Sequence, residues 1–196
     1  KLPGAGAAAV VAQKPMPAPM PEPKPETPVP SKPAEPKPAV AKSEAHKQAV
    51  AKIEALGGTV REIAQNDDSV EVDFHLGGTA LTDEGLAAVK DLEKVVSLHL
   101  KDTQITDTGL AHIAGIATLR RLHLEQTKGT DEGLTHLAGL TNLEYLNLYG
   151  TEVTDAGLEH LKPLTGLKRL YLWQTKATDE GVAKLKETLT GVEVVK

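Results

Sequence analysis

A five-residue signature returns five times along this chain, at intervals of 24 residues. It reads Thr-Asp-x-Gly followed by Leu or Val, and its copies begin at Thr82, Thr106, Thr130, Thr154 and Thr178. A fixed period of about 20 to 50 residues is typical of architectures in which equivalent supersecondary units stack on one another. Any fold for this chain therefore has to place these units side by side.

The apolar residues between two signatures predict what each unit contains. In one unit they fall at Leu110, Ile113, Ile116, Leu119, Leu122 and Leu124, followed by Thr127. Steps of three suit a short helix and the turn that leaves it, whereas a step of two suits a strand whose apolar side chains share one face. Each unit is thus expected to be one strand and one helix, buried by its neighbours, with Leu98, Leu122, Leu146 and Leu170 aligned as one buried spine.

The segment Leu119-x-x-Leu122-x-Leu124-x-x-Thr127 resembles the leucine-rich-repeat motif LxxLxLxx(N/C)xL, with threonine at the asparagine or cysteine position. The Thr-Asp-x-Gly-Leu start resembles repeats of the bacterial and ribonuclease-inhibitor-like subclasses. The resemblance covers about residues 70–196 and implies an α/β solenoid, a short right-handed β-α horseshoe with a parallel concave sheet. For function it implies protein–protein recognition on that sheet. A row of threonine hydroxyls is expected to satisfy the backbone of the turns.

The Thr-Asp pair has a local interpretation. Either side chain can cap the following helix, and the aspartates also suit its positive end. An acidic column at this spacing could also suggest calcium sites, but capping accounts for it.

The repeats are expected to occupy residues 79–181, between an N-terminal cap at 43–78 and a C-terminal cap at 182–196. In the N-terminal cap we predict a helix over residues 43–56 with Ser43 as its N-cap, ended by Gly57 and Gly58. A strand at 59–63, a turn at 65–68 and a half-buried strand at 70–76 follow. Residues 192–195 are predicted to form the final strand and an edge of the sheet.

Residues 1–42 differ in composition from the rest of the chain, since twelve of the 13 prolines lie between Pro3 and Pro38. Such a sequence forms neither helix nor sheet and favours polyproline II, in which some 28 residues reach on the order of 85 Å. Its Pro-Glu-Pro-Lys alternation resembles the periplasm-spanning segment of TonB-type proteins. A spacer from a membrane anchor, a plain disordered linker and a PxxP ligand are the alternatives.

The first residue is Lys1, and the small apolar residues 4–12 are typical of the end of a signal peptide or the flank of an anchor. We therefore expect possible membrane anchoring through a segment upstream of Lys1, and an extracytoplasmic location, periplasmic or in the cell envelope. A cytoplasmic location and an ordinary sequence boundary at Lys1 are the alternatives.

The composition of the chain excludes several classes of partner and of activity. The net charge is −5 without a basic run, which argues against nucleic acid. The absence of cysteine excludes thiol catalysis and disulfides. There is no phosphate loop and no HExxH metal motif, so we predict no enzyme activity, no cofactor, no metal and no small-molecule substrate.

The predicted concave surface carries most of the aromatic residues. Four of the five in the chain fall at its outward positions, and only Phe74 is predicted to point inward. Tyr, Trp and Arg dominate binding hot spots, and clustered exposed aromatic side chains indicate an interaction site. The predicted partner-binding residues are Tyr145, Tyr149, Arg169, Tyr171, Trp173, Arg121 and His123. The alternative is that the aromatic side chains merely stack to favour neighbouring strands.

The histidines also form columns, with His75, His99 and His123 on the strands and His112, His136 and His160 on the helices. Adjacent strand imidazoles could share zinc, but the sequence places no cysteine or carboxylate ligand tightly beside them. The helix column is expected to be solvated, and a pH-sensitive concave face is a further hypothesis. Ser97 and His99 share a face, but we expect them to lie about 6–7 Å apart, too far for a nucleophile and its base.

The sequence thus predicts a non-catalytic protein–protein interaction module that binds an unnamed protein through its concave sheet and is tethered by the proline-rich arm. Two alternatives stay open: a structural or accessory subunit of a larger envelope complex, and an enzyme inhibitor or regulator domain.

Overall fold

The computed structural model describes residues 42–64, 67–75 and 81–196. The predicted proline-rich arm lies outside these residues. Seven strands of the described chain form one sheet in sequence order. They are β1 (Thr59–Ala64), β2 (Asp67–Asp73), β3 (Val95–His99), β4 (Arg121–His123), β5 (Tyr145–Asn147), β6 (Arg169–Tyr171) and β7 (Glu193–Val195). The α-helices are α1 (Glu44–Ala55), α2 (Asp83–Leu86), α3 (Asp107–Ile113), α4 (Asp131–Thr135), α5 (Asp155–Glu159) and α6 (Asp179–Thr188), and a 3₁₀ helix at Ala87–Asp91 follows α2.

Strands β2 to β7 are parallel, and each is joined to the next through a helix on one face of the sheet. The predicted spine is confirmed, because Leu98, Leu122, Leu146 and Leu170 pair in register and are fully buried. Val72 continues the row on β2, and Val194 continues it on β7, where it packs against the core. The structure is an α/β leucine-rich-repeat solenoid.

The N-terminal cap is a helix followed by a hairpin. The Ser43 hydroxyl accepts a hydrogen bond from the His46 amide at 3.2 Å, and Gly57 takes a φ of 80° where α1 ends, both as predicted. Strand β1 pairs antiparallel with β2, so the cap closes this side of the parallel sheet. The predicted turn at 65–68 is too long, because β2 already begins at Asp67; Gln65 and Asn66 lie outside the described residues.

Threonine, rather than aspartate, caps the helices. In every signature the threonine hydroxyl accepts a hydrogen bond from an amide of the first turn, and Thr130 accepts from the Glu132 amide at 3.3 Å. The aspartate beside it points instead to the next unit. Asp131 accepts hydrogen bonds from both the amide and the hydroxyl of Thr154, at 2.7 and 2.5 Å. The sequence analysis named either side chain as the cap; the threonine is confirmed in that role, and the aspartate does not cap its own helix.

The same link joins four successive pairs, namely Asp83 to Thr106, Asp107 to Thr130, Asp131 to Thr154 and Asp155 to Thr178. We call this row the Asp–Thr ladder. Hydrogen bonds from the Thr178 hydroxyl and amide hold the pKa of the Asp155 carboxyl below its ordinary value. In the last signature, Asp179 is almost fully exposed and accepts instead from Lys196 at 2.6 Å.

The ladder also explains the glycine of the last four signatures. A Cβ on Gly157 would lie 2.3 Å from the Asp131 Oδ1 atom, and the equivalent distance at Gly133 from Asp107 is also 2.3 Å. No real Cβ approaches an oxygen so closely, so the glycine makes room for the carboxylate of the preceding unit. The threonine, aspartate and glycine of the signature thus each have a physical role, and the Leu or Val of the fifth position packs in or against the core.

The predicted threonine row is confirmed in the turns that leave the strands. Thr103, Thr127, Thr151 and Thr175 each donate a hydroxyl hydrogen bond to the carbonyl three residues earlier, at 2.6 to 2.8 Å. Each bond closes the turn of its own unit. Thr79, at the equivalent position, lies outside the described residues.

The final strand is shorter than predicted and spans Glu193–Val195. Leu185, Leu189 and Val192 are buried as expected. It is Val194, however, that aligns with Leu170 of the spine, while Val195 aligns with Tyr171. Leu170 and Val194 lie 24 residues apart, so the last unit keeps the period of the repeats although its helix α6 is ten residues long.

Candidate functional site

The face of the sheet opposite the helices carries the predicted interaction surface, and we call it the open face. Its first column contains Glu71, Ser97, Arg121, Tyr145, Arg169 and Glu193. Its second column contains Asp73, His99, His123, Asn147, Tyr171 and Val195. Backbone hydrogen bonds just beyond the strands place Lys101, Glu125, Tyr149 and Trp173 in a third column.

Rings on the open face stack along the sheet. His99 and His123 lie nearly parallel with centroids 4.1 Å apart, and Tyr145 follows 4.7 Å from His123. Tyr171 lies 5.4 Å from Tyr145, so the series crosses four neighbouring strands. Offset and tilted contacts at these separations are favourable for aromatic rings. Stacking, the alternative role in the sequence analysis, is therefore present in the structure.

A second ring pair lies in the third column. Tyr149 and Trp173 stack with an interplanar angle of 13° and centroids 5.7 Å apart. Both residues remain partly exposed, as do Tyr145 and Tyr171. Phe74, in contrast, is fully buried as predicted. The four aromatic side chains thus form two ring pairs on the same partly solvated face.

The two predicted arginines differ in their surroundings. The Arg169 Nε atom lies 3.4 Å from the Glu193 carboxylate, so its charge is balanced within the first column. Arg121 is partly buried between the column positions of Ser97 and Tyr145. No ion pair to Arg121 is found among the described residues, which leaves its guanidinium available to an anionic group.

His123, the remaining predicted residue, is 7% exposed and belongs to a polar cluster at the centre of the open face. Its Nδ1 atom lies 3.0 Å from Glu125 Oε1, and the Asn147 side-chain amide donates to the same oxygen at 2.6 Å. Asn147 is oriented by the Tyr149 amide, which donates to its Oδ1 atom at 3.1 Å. His123 is thus a buried supporting residue of this surface.

Glu125 was missed by the sequence analysis. It is 8% exposed, and its Oε2 atom is buried with no hydrogen-bond partner among the described residues. A single acidic residue next to two aromatic positions of the third column was the available signal, but only the fold shows that it is buried. A buried carboxylate oxygen without a donor is costly, so this atom is the least satisfied group of the open face.

The predicted column of three strand histidines is wrong at its first member. The pairing between β2 and β3 shifts after Val70, so that Asp73, rather than His75, aligns with His99. The cap does not share the 24-residue spacing of the repeats, which is the reason for the shift. Burial acts to raise the pKa of Asp73, but hydrogen bonds from the backbone and ring of His75 outweigh it and leave that pKa below its ordinary value.

The geometry does not gather these histidines around a metal. His99 and His123 stack face to face, so their ring nitrogens do not converge on one point. Within the described ranges, no group of three His, Cys, Asp or Glu side chains is arranged to hold a metal ion. The helix-side histidines His112, His136 and His160 are partly buried, and thus less solvated than expected.

The expected separation of Ser97 and His99 is also wrong. The Ser97 Oγ atom lies 3.1 Å from His99 Nε2, because side chains two residues apart on a strand can lean toward each other. The Glu71 carboxylate approaches the same nitrogen, at 3.7 Å. In a catalytic triad the acid holds the other ring nitrogen, and the serine must be accessible, whereas Ser97 is 1% exposed. The contact is therefore a structural hydrogen bond.

None of the helices in the described part of the chain is long and apolar enough to cross a membrane. The family model described as Leucine Rich repeat matches residues 92–114 and 139–162. Comparison with curated proteins gave no match.

The solved structures to which this chain is similar include an internalin (inlF) from Listeria monocytogenes, with 20% identity and a TM-score of 0.48. That match covers 57% of this chain and 31% of the internalin, so this chain spans about a third of the internalin's length. The leucine-rich-repeat ectodomain of the receptor kinase SOBIR1 from Arabidopsis thaliana is 15% identical, with a TM-score of 0.49. Here the match covers 78% of this chain and 91% of the ectodomain. The matched segments show leucine-rich repeats within this chain, in agreement with the repeated strand–helix coils of its fold.

Proposed function

We propose that this chain is a non-catalytic module that binds a protein partner through the open face of its sheet. Leucine-rich-repeat domains are typical protein–protein interaction modules, and solenoids present extended surfaces for that purpose. The single observation that carries the proposal is the partly exposed aromatic surface formed by Tyr145, Tyr149, Tyr171 and Trp173.

The surface has the composition of a binding hot spot. Rings held rigid by stacking lose little conformational entropy when a partner covers them, so their burial contributes efficiently to affinity. Arg121 and Arg169 lie in the neighbouring column and add polar groups that fix orientation. His123, part of the buried polar cluster, packs against the Tyr145 ring.

The proposed binding site can be tested by removing its outer ring pair. The partner is recovered by copurification with the untagged protein, identified, purified and titrated against wild type and the Tyr149→Ala, Trp173→Ala double variant. Because hot-spot residues contribute about 2 kcal/mol or more, we expect the affinity to fall at least about 30-fold. Circular dichroism should show that the fold is retained.

A matched control is Ile63→Ala on the cap strand β1. Ile63 is the exposed large apolar residue of the described chain, at 45% exposure, and it lies far along the sheet from the ring pair. This variant should bind the partner like wild type. Unchanged affinity in the double variant would refute the site, and equal losses in both variants would show that the effect is not specific to the rings.

A further inference from the structure

The unsatisfied carboxylate of Glu125 indicates the chemistry of the group that the open face receives. His123 and Asn147 both donate to Oε1, so they fix the carboxylate in one orientation and leave Oε2 with no donor among the described residues. Two donors on one oxygen and none on the other is an incomplete arrangement for an ionised group buried to this extent. A donor from a partner would complete it.

No lysine or arginine of the described residues pairs with Glu125 Oε2. Lys101 is the neighbour of Glu125 in the third column, but its Nζ atom lies 4.0 Å from Asp102 instead. Among the described residues, no lysine or arginine lies within ion-pair distance of the Glu125 carboxylate. In contrast, Glu193 on the same face is exposed and already lies 3.4 Å from the Arg169 guanidinium.

The other neighbours of Glu125 in its column also favour a cation. Tyr149 follows Glu125, and Trp173 follows Tyr149, with their rings stacked in parallel. Aromatic faces attract ammonium and guanidinium groups, and tryptophan does so most strongly. A carboxylate with aromatic rings beside it is a combination suited to a basic side chain, in which the rings contact the stem and the carboxylate accepts from the charged end.

We propose that Glu125 anchors a basic side chain, arginine or lysine, of the protein partner, with Tyr149 and Trp173 packing beside it. The proposal rests on the proposed function, since it names the chemistry of the partner at that same surface. Because Oε2 is covered in the free protein, binding requires a small rearrangement of the partly exposed side chains around it. Glu125 itself is held in place by His123 and Asn147.

The probes are short capped peptides that differ in charge and little else. Acetyl-Gly-Arg-Gly-amide is compared with its citrulline counterpart, which is a neutral isostere, and acetyl-Gly-Lys-Gly-amide with its acetyl-lysine counterpart. Binding is followed by the fluorescence of Trp173, the single tryptophan of the chain. We expect saturable responses to the arginine and lysine peptides, with at least tenfold weaker binding of both neutral peptides.

The variant Glu125→Gln should abolish this preference and keep its melting temperature, because glutamine retains an acceptor for His123 and Asn147 and removes a buried charge. Glu193→Gln, the control on the same face, should keep the preference. Equal binding of charged and neutral peptides by wild type would overturn the proposal, and so would a preference that persists in Glu125→Gln or disappears in Glu193→Gln.

Should Glu125→Gln fail to fold, the carboxyl ¹³C resonance of Glu125 in the wild type gives an independent answer. It should shift on titration with the arginine peptide and stay in place with the citrulline peptide; a resonance that does not respond would overturn the proposal. The two proposals can fail separately. If the ring-pair variant loses partner binding but the wild type shows no preference for charged peptides, the proposed function is supported and the proposal of a basic anchor is refuted.

Discussion

Gly157 provides the sharpest test of how the units are held together, because it faces the Asp131 carboxylate of the preceding unit. A Cβ added there would lie 2.3 Å from Asp131 Oδ1, about 1 Å inside an ordinary contact. The carboxylate would have to move away, and its hydrogen bonds of 2.7 and 2.5 Å to Thr154 would be lost. The substitution Gly157→Ala therefore tests the Asp–Thr ladder without removing any of its groups.

The size of the effect follows from the bonds at risk. Asp131 is partly exposed, so we take the lower value of about 1.5 kcal/mol for each hydrogen bond to a charged group, or ~3 kcal/mol for both. Alanine stabilises a helix by about 1 kcal/mol relative to glycine, which offsets part of this loss. The expected net loss in the free energy of unfolding is therefore ~2 kcal/mol.

A double-mutant cycle separates this mechanism from a general loss of packing. Asp131→Ala alone should lose ~3 kcal/mol, since both bonds to Thr154 disappear. In that background Gly157→Ala should become neutral or stabilising by up to ~1 kcal/mol, after a small adjustment of Leu134, whose Cδ1 atom would lie 3.1 Å from the new Cβ. The coupling between the two substitutions should then be about 3 kcal/mol in favour of the double variant.

The assay is urea unfolding followed by circular dichroism and by the fluorescence of Trp173. Gly115→Ala is the control, because a Cβ there would meet no atom within 4 Å. Agreement between the two probes also shows whether the units unfold together, which is not guaranteed in repeat proteins. Additive losses in the double variant, or an equal loss in Gly115→Ala, would refute the reasoning.

Two further predictions concern the turns and the cap. Thr127→Val keeps the volume of a buried side chain but removes the hydroxyl that donates to the Leu124 carbonyl at 2.8 Å. Urea unfolding should therefore show a loss of about 1 kcal/mol in the free energy of unfolding. The control Thr190→Val, at an exposed position, should show no loss. His46 is 2% exposed, and its Nδ1 atom accepts a hydrogen bond from the Glu93 amide at 3.1 Å. Burial, with help from the charge of Lys42, lowers the pKa of His46 below its ordinary 6.5, so the unfolded chain takes up the proton first as pH falls. The contribution of His46 to the free energy of unfolding should be complete above pH 6.5 and should decline below it until the folded pKa is reached. The variant His46→Asn keeps an acceptor for the Glu93 amide and should lack this pH dependence. Identical pH profiles of the unfolding midpoint in wild type and variant would contradict the prediction.

The repeats could be predicted from the sequence because each apolar position is copied every 24 residues, so Leu122 necessarily aligns with Leu146. The cap could not be placed by the same rule. It shares no period with the repeats, and the shift after Val70 moved His75 out of the histidine column. A non-repeated segment finds its register through packing, which sequence spacing does not report.

The aromatic positions of the candidate site could be predicted from the sequence, whereas the buried polar cluster around Glu125 could not. Exposed tyrosine and tryptophan positions follow from strand alternation. The burial of Glu125, which is hydrogen-bonded to His123 and Asn147, depends on side-chain packing that strand alternation does not report. Ser97 and His99 were expected to be apart because backbone separation was compared rather than the reach of the side chains, which meet at 3.1 Å. Hydrogen-bond geometry of this kind becomes visible only in the fold.

The Asp–Thr ladder sets a rule for how such a chain can change length. Each of the first four signature aspartates reaches a threonine 23 residues later, and each of the last four signature glycines accommodates an aspartate from the coil before. An insertion of arbitrary length between two signatures would separate these partners, while a tandem duplication of one complete 24-residue coil would supply each of them anew. Growth or shrinkage by whole coils is thus the route that leaves every carboxylate paired.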